Sequence, residues 1–297
     1  MSREYFKKRV ETLLEALPYI RLFSGKTVVI KYGGAAMRSA DLKDEFATDV
    51  TLLRYVGIKP IIVHGGGSEV SDLMARLNLP VRFVDGLRVT DAAAMEVAKM
   101  VLVGKVNKEI VGLINHKGAP AVGLSGDDGR LIEAAPLRRA DAEGRVVDLG
   151  LVGEVRGVNT ELLSLLERDY VPVVASVGVG EKGESYNINA DSVAAALAAA
   201  LKAEKLIFLT DVPGLLRNID DPESVISQCT DEEIRALTRG EGVSRGMIPK
   251  LEAVLEALEA GVGAVHIIDG RVPHSVLLEI MTDEAGVGTK ITAGGKG

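Results

Sequence analysis

The chain has 297 residues, a formal net charge of −7, one cysteine and an apolar fraction of 47%. The negative charge argues against a general nucleic-acid surface, because such surfaces neutralise phosphates with clustered Lys and Arg. No apolar run approaches the roughly 18 residues of a membrane span, the N-terminus lacks the features of a signal peptide, and a single cysteine forms no internal disulfide. We therefore predict a cytoplasmic globular protein without nucleic-acid or membrane partners.

The first predicted element is an amphipathic helix over residues 4–22. Apolar side chains recur there at helical spacing, at Phe6, Val10, Leu13, Leu14 and Leu17. The pattern alone favours a helix packed on its own subunit. We divide the chain into this segment (1–24), an N-terminal lobe (25–180) and a C-terminal lobe (181–297), with the boundary where VGVGEKGE thins the apolar pattern.

Short β-branched runs alternate with helical stretches along the rest of the chain. We predict a helix over about 40–56, another after Gly67, and a hairpin insertion over 131–158, where the strands become shorter and more polar. The predicted strands are TVVIKYG, KPIIVHG, APAVGLSG, YVPVVASVG, LIFLTDVPG and AVHIIDG. Continuous apolar strands separated by helices predict an α/β fold with a parallel sheet covered on both faces.

Glycine loops follow four of these strands, as KYGG, HGGG, GLSGDDG and TDVPG. Ligands collect at the carboxyl ends of parallel strands, so these loops predict a cradle of backbone N–H groups around phosphate. A Walker A loop is excluded, because Ile20 stands where its first glycine belongs and Thr27 opens a strand. A dinucleotide fingerprint is a poor fit, because Val70 stands where Gly or Ala is needed.

Two lysines stand close to predicted loops. Lys31 follows an apolar strand and precedes two glycines, and Lys250 lies beside Pro249 in the first turn of a predicted helix. The alternatives are a lysine that caps a strand end and a solvated helix lysine. Asp191, in the run NINAD, begins a predicted helix and would be either an N-cap or a functional carboxylate.

The runs KYGG, VHGGG, DGLRVT, GLSGDDG, NINAD, LTDVPGLL and GMIPKLEA occur in the order and spacing typical of the amino acid kinase family, which the chain resembles over nearly its whole length. The run DGLRVTD after VHGGG resembles the branch that phosphorylates N-acetyl-L-glutamate. One departure is Arg245-Gly246, where many relatives have two glycines.

The resemblance implies a three-layer αβα sandwich of the carbamate kinase-like type, with the acetylated amino acid in the N-terminal lobe and ATP in the C-terminal lobe. It implies ATP-dependent formation of N-acetylglutamyl 5-phosphate and ADP, the second step of arginine biosynthesis. A kinase for acetylaminoadipate, carbamate or aspartate, or a non-catalytic amino-acid sensor, remains the alternative.

The resemblance also implies roles for individual residues. Lys31, Lys250 and Asp191 would be catalytic, and Gly66, Gly67, Arg88 and Asn187 would bind the acetylated substrate. ATP would be bound by Gly33, Gly34, Thr210, Asp211 and Gly214. Magnesium would arrive chelated by ATP, so no dedicated protein metal site is expected.

Regulation is implied at both ends of the chain. The N-terminal helix resembles that of arginine-inhibited relatives, in which such helices interlace dimers into a hexamer, and residues 274–289 resemble the part that binds the inhibitor. On this basis L-arginine would be bound by Tyr19, His266, Glu279, Gly286 and Gly288, and the chain would be a hexamer built as a trimer of dimers, or otherwise a dimer.

Overall fold

Eight strands form one central sheet in the computed structural model, which describes residues 3–84, 86–140, 145–218, 221, 223–239, 247–282 and 287–294. In chain order the strands of the molecule are β1 (Thr27–Tyr32), β2 (Lys59–His64), β3 (Phe83–Val84), β4 (Leu87–Arg88), β5 (Ala121–Ser125), β6 (Ile132–Pro136), β7 (Arg139–Ala140), β8 (Val146–Val147), β9 (Val152–Val158), β10 (Val171–Ala175), β11 (Val177–Val179), β12 (Ser185–Ile188), β13 (Lys205–Thr210), β14 (Gln228–Thr230), β15 (Ala264–Asp269) and β16 (Gly288–Thr292).

The helices connect these strands on both sides of the sheet. They are α1 (Arg3–Phe23), α2 (Ala40–Tyr55), α3 (Gly67–Arg76), α4 (Ala92–Lys99), α5 (Asn107–His116), α6 (Glu161–Leu166), α7 (Ala190–Ala200), α8 (Asp231–Arg239), α9 (Ile248–Glu259) and α10 (Ser275–Ile280). A π-helical stretch, Met100–Val106, joins α4 directly to α5. None of the described helices is long and apolar enough to cross a membrane.

The central sheet has the strand order β14-β16-β15-β13-β1-β2-β10-β5. Every neighbouring pair is parallel except β15 and β16, which are antiparallel. The predicted mainly parallel α/β fold is therefore confirmed. Because β1, β2, β10, β13 and β15 run the same way, their carboxyl ends meet at one edge of the sheet.

Alternation along β1 assigns its side chains to two separate apolar layers. Val28 and Ile30 pack in a core with residues of α2 and α5, whereas Val29 packs on the opposite face with residues of α7 and α9. Successive strand residues point to opposite faces, so Lys31 shares the α7 and α9 face with Val29. This alternation decides which helices a lysine at position 31 can meet.

A small four-stranded barrel of β6, β9, β11 and β12 stands beside the central sheet. The predicted hairpin insertion over 131–158 is confirmed as the antiparallel pair β6–β9, with β7 and β8 paired between them. The predicted lobe boundary falls in the tight connection between β11 and β12, where the Gly180 N–H donates to the Glu184 carbonyl at 2.7 Å. The lobe division itself stays a prediction.

Helix α1 confirms the predicted N-terminal helix but not its packing along its own chain. The apolar residues Phe6, Val10, Leu13, Leu14 and Leu17 are 46–72% exposed. Only the last turns of α1 reach the core, through Tyr19 and Phe23. The five side chains of the apolar stripe therefore keep about half or more of their surface exposed in the single chain.

Candidate active site

One carboxylate meets two lysines at the carboxyl edge of the sheet. The Lys31 Nζ lies 3.1 Å from Asp191 Oδ1, and the Lys250 Nζ donates a hydrogen bond to Asp191 Oδ2 at 2.7 Å. All three side chains are largely buried, with 11–16% of their surface exposed. The two residues predicted to act on phosphate and the carboxylate predicted to pair with them are therefore brought together from β1, α9 and α7.

Local sequence explains why these side chains converge. Asn189 caps α7 through its side chain, which accepts a hydrogen bond from the Asp191 backbone N–H, so Asp191 itself is not the N-cap. Pro249 lies in the first turn of α9, as predicted, and Lys250 follows it. Lys250 is buried beside the Phe208 ring, 4.7 Å from its centre, and is not a solvated helix lysine.

The two neighbouring lysines stabilise the ionised form of Asp191. Burial alone would raise the pKa of Asp191, but Lys31 and Lys250 outweigh it and bring that pKa down to about 2. Burial lowers the pKa of Lys250, and the neighbouring Asp191 carboxylate offsets part of this effect. A buried carboxylate between two ammonium groups leaves a net positive charge at the sheet edge, where an anion is stabilised.

A cavity of about 260 Å³ opens beside this cluster. Its walls include Lys31, Asp191 and the residues predicted to bind the acetylated substrate, which are Gly66, Gly67, Arg88 and Asn187. Asn187 Nδ2 donates to Thr90 Oγ1 at 3.3 Å, which fixes its amide at the wall. The four substrate-binding residues of the sequence prediction thus share one cavity with two of the three catalytic ones.

Arg88 is buried and held in a fixed orientation. Its Nη2 donates to the Gly67 carbonyl and to Ser71 Oγ, both at 2.7 Å, and its guanidinium stacks over the Phe83 ring at 4.8 Å. Arg88 is therefore not a surface strand arginine. Burial lowers its pKa, and the side chain stays cationic because an arginine pKa is so high.

The glycine pair after β1 lies close to charged side chains. A Cβ at Gly33 would come within 2.7 Å of Lys31 Nζ, and one at Gly34 would come within 2.1 Å of Asp211 Oδ1. Gly34 also has φ +67°, a conformation that disfavours side chains. Asp211 pairs with Arg38 at 2.9 Å across this loop.

Thr210 and Gly214, which are also predicted to bind ATP, lie at the end of β13 and in the loop that follows it. Thr210 Oγ1 donates to the carbonyl of Val212 or Ile268, and it ends β13 opposite Asp269 of β15. Gly214 approaches Thr289, whose hydroxyl accepts from the Leu215 N–H at 2.8 Å. Within the described ranges, no group of three or more His, Cys, Asp or Glu side chains is arranged to hold a metal ion.

The glycine loop GLSGDDG lies at one edge of the central sheet. The GLSGDDG loop follows β5, the outermost strand of the sheet, and does not line the cavity. Its Asp128 carboxylate instead accepts from the Ser125 N–H at 2.7 Å, and its Asp127 pairs with Lys99 at 2.8 Å. The prediction of four cradle loops is wrong for this one, because β2 and β10 separate β5 from β1, the strand that carries Lys31.

Two polar residues of the cavity wall, Ser176 and Asn189, were not singled out in the sequence. Ser176 follows β10 directly, and Asn189 caps α7; both line the cavity. Ser176 could have been found from its position, since it is a polar residue at the carboxyl end of a buried parallel strand. Asn189 could have been found as well, because it lies in the same NINAD run as Asp191.

The residues predicted to bind arginine lie in two groups, one with a residue of α10 and one beside the residues that follow α10. His266 Nδ1 and Glu279 Oε1 are buried and lie 2.5 Å apart, and the Val287 N–H donates to Glu279 Oε2 at 3.3 Å. Tyr19 lines a separate cavity of about 650 Å³ with Met281 and Thr282. Gly288 begins β16, and Gly286 lies outside the described residues, as do Arg245 and Gly246.

Proteins of known sequence are similar to this chain over nearly its whole length. The model of the amino acid kinase family matches residues 26–269. An acetylglutamate kinase of Symbiobacterium thermophilum is 59% identical over 285 residues, which are 95% of this chain and 97% of that protein. One of Carboxydothermus hydrogenoformans is 54% identical over 293 residues, covering 97% and 99%.

Solved structures with a similar fold include an N-acetylglutamate synthase and a carbamate kinase. N-acetylglutamate synthase from Neisseria gonorrhoeae, complexed with coenzyme A and N-acetyl-glutamate, has a TM-score of 0.82 and 26% identity; the match covers 95% of this chain and 63% of that one. Giardia carbamate kinase has a TM-score of 0.66 and 19% identity, covering 91% and 99%, and shows the likeness of fold alone.

Proposed function

The chain belongs to the amino acid kinase family, and from that premise we propose that it transfers the γ-phosphoryl group of ATP to the side-chain carboxylate of N-acetyl-L-glutamate, giving N-acetylglutamyl 5-phosphate and ADP in arginine biosynthesis. The observation that carries the proposal is the Lys31–Asp191–Lys250 cluster at the wall of a cavity that also holds Arg88. The acetylglutamate kinases at 54–59% identity support the same substrate.

Catalysis of this reaction requires stabilisation of negative charge and does not require proton transfer. The substrate carboxylate is already ionised near neutral pH, so no general base is needed. A carboxylate oxygen forms a bond to the γ-phosphorus while the bond to the β,γ-bridging oxygen breaks, and ADP leaves with that electron pair. Lys31 stabilises the transferred phosphoryl group, Lys250 stabilises the leaving side, and Asp191 holds both ammonium groups in place.

The acetylated amino acid is assigned to the cavity beside Lys31. Arg88 binds its α-carboxylate through the part of the guanidinium that Gly67 and Ser71 leave available. Asn187 hydrogen-bonds the same substrate, and the backbone N–H groups of Gly66 and Gly67 face the reacting carboxylate and the phosphoryl oxygens. These residues lie in the proposed N-terminal lobe, 25–180, apart from Asn187 just past its boundary.

ATP is assigned to the C-terminal lobe, 181–297, and to the loop after β1. The backbone of Gly33 and Gly34 contacts the phosphates, and Thr210, Asp211 and Gly214 lie beside the nucleotide. Magnesium arrives bound to the phosphates and neutralises part of their charge when present. The Lys31 and Lys250 ammonium groups supply the rest of the positive charge.

The proposal is tested by ADP release with a panel of acceptors. N-acetyl-L-glutamate should give the highest kcat/KM among N-acetylglutamate, N-acetylaminoadipate, aspartate and carbamate. Faster turnover of another acceptor would replace the substrate but keep the kinase. No ADP release with any of them would favour a non-catalytic amino-acid sensor, in which case the same panel should bind without reaction in calorimetry.

We further propose feedback inhibition by L-arginine in a hexamer. The apolar stripe of α1 is exposed in the single chain, which suits a helix that pairs with a second copy. The arginine site is assigned to Tyr19, His266, Glu279 and Gly288, near the end of α10, together with Gly286, which lies outside the described residues. Arginine inhibits by binding one subunit arrangement more tightly than the other.

A further inference from the structure

A buried chain of hydrogen bonds lies behind the glycine loop that follows β2. His64, the last residue of β2, is fully buried. Its Nδ1 lies 2.9 Å from the Gly65 carbonyl oxygen, and its Nε2 lies 3.1 Å from Asn107 Nδ2. Asn107 is itself fully buried at the junction of the π-helical stretch and α5.

The partners of Asn107 determine the proton positions on the imidazole. Asn107 Nδ2 lies 2.9 Å from the Val173 carbonyl oxygen and 3.3 Å from the Leu124 carbonyl oxygen, and these two acceptors set the orientation of the amide. The Nδ2 group can only donate, and His64 Nε2 is therefore the acceptor. The Nδ1 atom then carries the hydrogen and donates it to the Gly65 carbonyl.

The imidazole stays neutral in this environment. Burial is the main cause that lowers the pKa of His64 to about 4; Lys108 acts in the same direction, and the Gly65 carbonyl and Glu69 offset only part of the shift. His64 is therefore unsuited to proton transfer near neutral pH, and its remaining role is a fixed hydrogen-bond donor.

That donor decides the direction of the next N–H group. In a trans peptide the carbonyl and the following N–H point to opposite sides of the plane. The Gly65 carbonyl is held toward the buried imidazole, so the Gly66 N–H of the same peptide points away from it. Gly66 lines the cavity that also contains Lys31 and Arg88.

The loop is supported from the other side by the π-helical stretch. A Cβ at Gly66 would come within 2.9 Å of Leu102 Cδ2 and 3.2 Å of Val106 Cγ2. Helix α3 begins at Gly67, so the N–H groups of its first turn have no acceptor within the helix. The loop between β2 and α3 is thus held between His64 and the π-helical stretch, with Gly66 and Gly67 at the cavity wall.

We propose that His64 is a positioning residue for phosphoryl transfer: it holds the Gly65–Gly66 peptide so that the Gly66 N–H is aimed at the oxygens of the phosphoryl group in flight. Asn107 acts one step behind it by keeping the hydrogen on Nδ1. The inference rests on the proposed function. It adds a residue whose effect passes through backbone geometry and not through contact with the substrate.

Two substitutions separate this role from mere packing. His64→Asn keeps a donor nitrogen near the position of Nδ1, whereas His64→Gln places its amide near the position of Nε2 and loses the bond to the Gly65 carbonyl. We expect kcat to stay within about threefold of wild type for His64→Asn and to fall about tenfold or more for His64→Gln, because one misdirected donor costs most in the transition state. The surface variant His116→Gln controls for the loss of a histidine.

Nuclear magnetic resonance of the ring nitrogens supplies a readout that does not depend on activity. We expect Nδ1 protonated and Nε2 unprotonated in wild type, and faster hydrogen exchange of the Gly66 amide in His64→Gln than in His64→Asn. Protonation at Nε2, or equal kcat for both variants when both are folded, would overturn the inference. A wild-type chain without ADP release would refute the proposed function, while the ring tautomer and amide exchange would still decide the orientation of the loop.

Discussion

The Asn189 side chain accepts a hydrogen bond from the Asp191 backbone N–H at 2.7 Å, so Asn189 rather than Asp191 caps helix α7. The Asp191 carboxylate is thereby left to bridge Lys31 and Lys250. The two polar residues at the start of α7 therefore have different roles. Asn189 satisfies a backbone N–H of the helix, and Asp191 orients the two positively charged side chains of the site.

Removing the bridging charge should disable the site more than it unfolds the chain. We expect Asp191→Asn to lower kcat about 10²-fold, because two buried ammonium groups lose their shared anion and repel each other. The folded-state pKa of Asp191 is about 2, below the unfolded value, so its stabilising effect is full above pH 4 and is lost as the pH falls through 2. Urea unfolding of Asp191→Asn should lack this acid dependence. The exposed variant Asp41→Asn is the control, and an unchanged kcat for Asp191→Asn would refute the assignment.

The two lysines should matter for the transition state more than for acceptor binding. We expect Lys31→Ala and Lys250→Ala each to reduce kcat by about 10²-fold or more, with a smaller change in KM for N-acetyl-L-glutamate. Steady-state kinetics at saturating ATP measures both. Lys26→Ala, which removes a surface partner of Glu204 just before β1, should change neither parameter. Near-normal kcat in either buried variant would remove that lysine from the mechanism.

Arg88 should determine affinity for the amino acid. In Arg88→Lys a point charge replaces a planar fork that already bonds Gly67 and Ser71, so we expect KM for N-acetyl-L-glutamate to rise about tenfold or more and KM for ATP to change little. The exposed Arg82→Lys serves as the matched control. A raised KM for ATP with an unchanged KM for the acceptor would move Arg88 to the nucleotide side.

Burial of a neutral His64 makes part of the stability depend on pH. Its folded-state pKa of about 4 lies below the unfolded value near 6.5, so the unfolded chain binds more protons between these values. Its contribution is full above pH 6.5 and falls by on the order of 3 kcal/mol as the pH drops to 4. Comparing the free energy of unfolding of wild type and His64→Asn across this range measures the effect. A constant difference from pH 7 to pH 4 would contradict it.

The N-terminal helix should set the oligomeric state and the response to arginine. Deleting residues 1–24 removes the exposed apolar stripe, and we expect active dimers with strongly reduced arginine sensitivity. Leu14→Glu, which places a charge in the stripe, should do the same, whereas Lys8→Glu on the polar side of α1 should not. Analytical sedimentation and inhibition curves measure both properties. A full-length dimer whose activity is unaffected by millimolar arginine would exclude this regulation.

Much of the layout was accessible from the sequence because local patterns carry it. The strand runs ending in Lys31, His64 and Thr210 are continuous and apolar, which only a sheet buried on both faces tolerates. Pro249 marks the first turn of α9, and the alternation of strands and helices leaves a mainly parallel sheet as the natural arrangement. The side of the sheet to which Lys31 points also follows from the twofold alternation along β1.

Other features were decided only when distant segments packed together. The sequence does not specify strand order, so the GLSGDDG and HGGG loops could not be distinguished by position. In the sheet, β10 lies between β5, which precedes GLSGDDG, and β2, which precedes HGGG. From sequence alone, either Asn189 or Asp191 could be the N-cap of α7. In the structure Asn189 caps the helix, and Asp191 pairs with Lys31 of β1 and Lys250 of α9. Burial keeps His64 neutral, and Asn107, 43 positions later in the chain, determines which ring nitrogen donates. Hydrogen bonds and ion pairs of this kind join residues far apart in sequence, and their geometry exists only after the helices have packed onto the sheet.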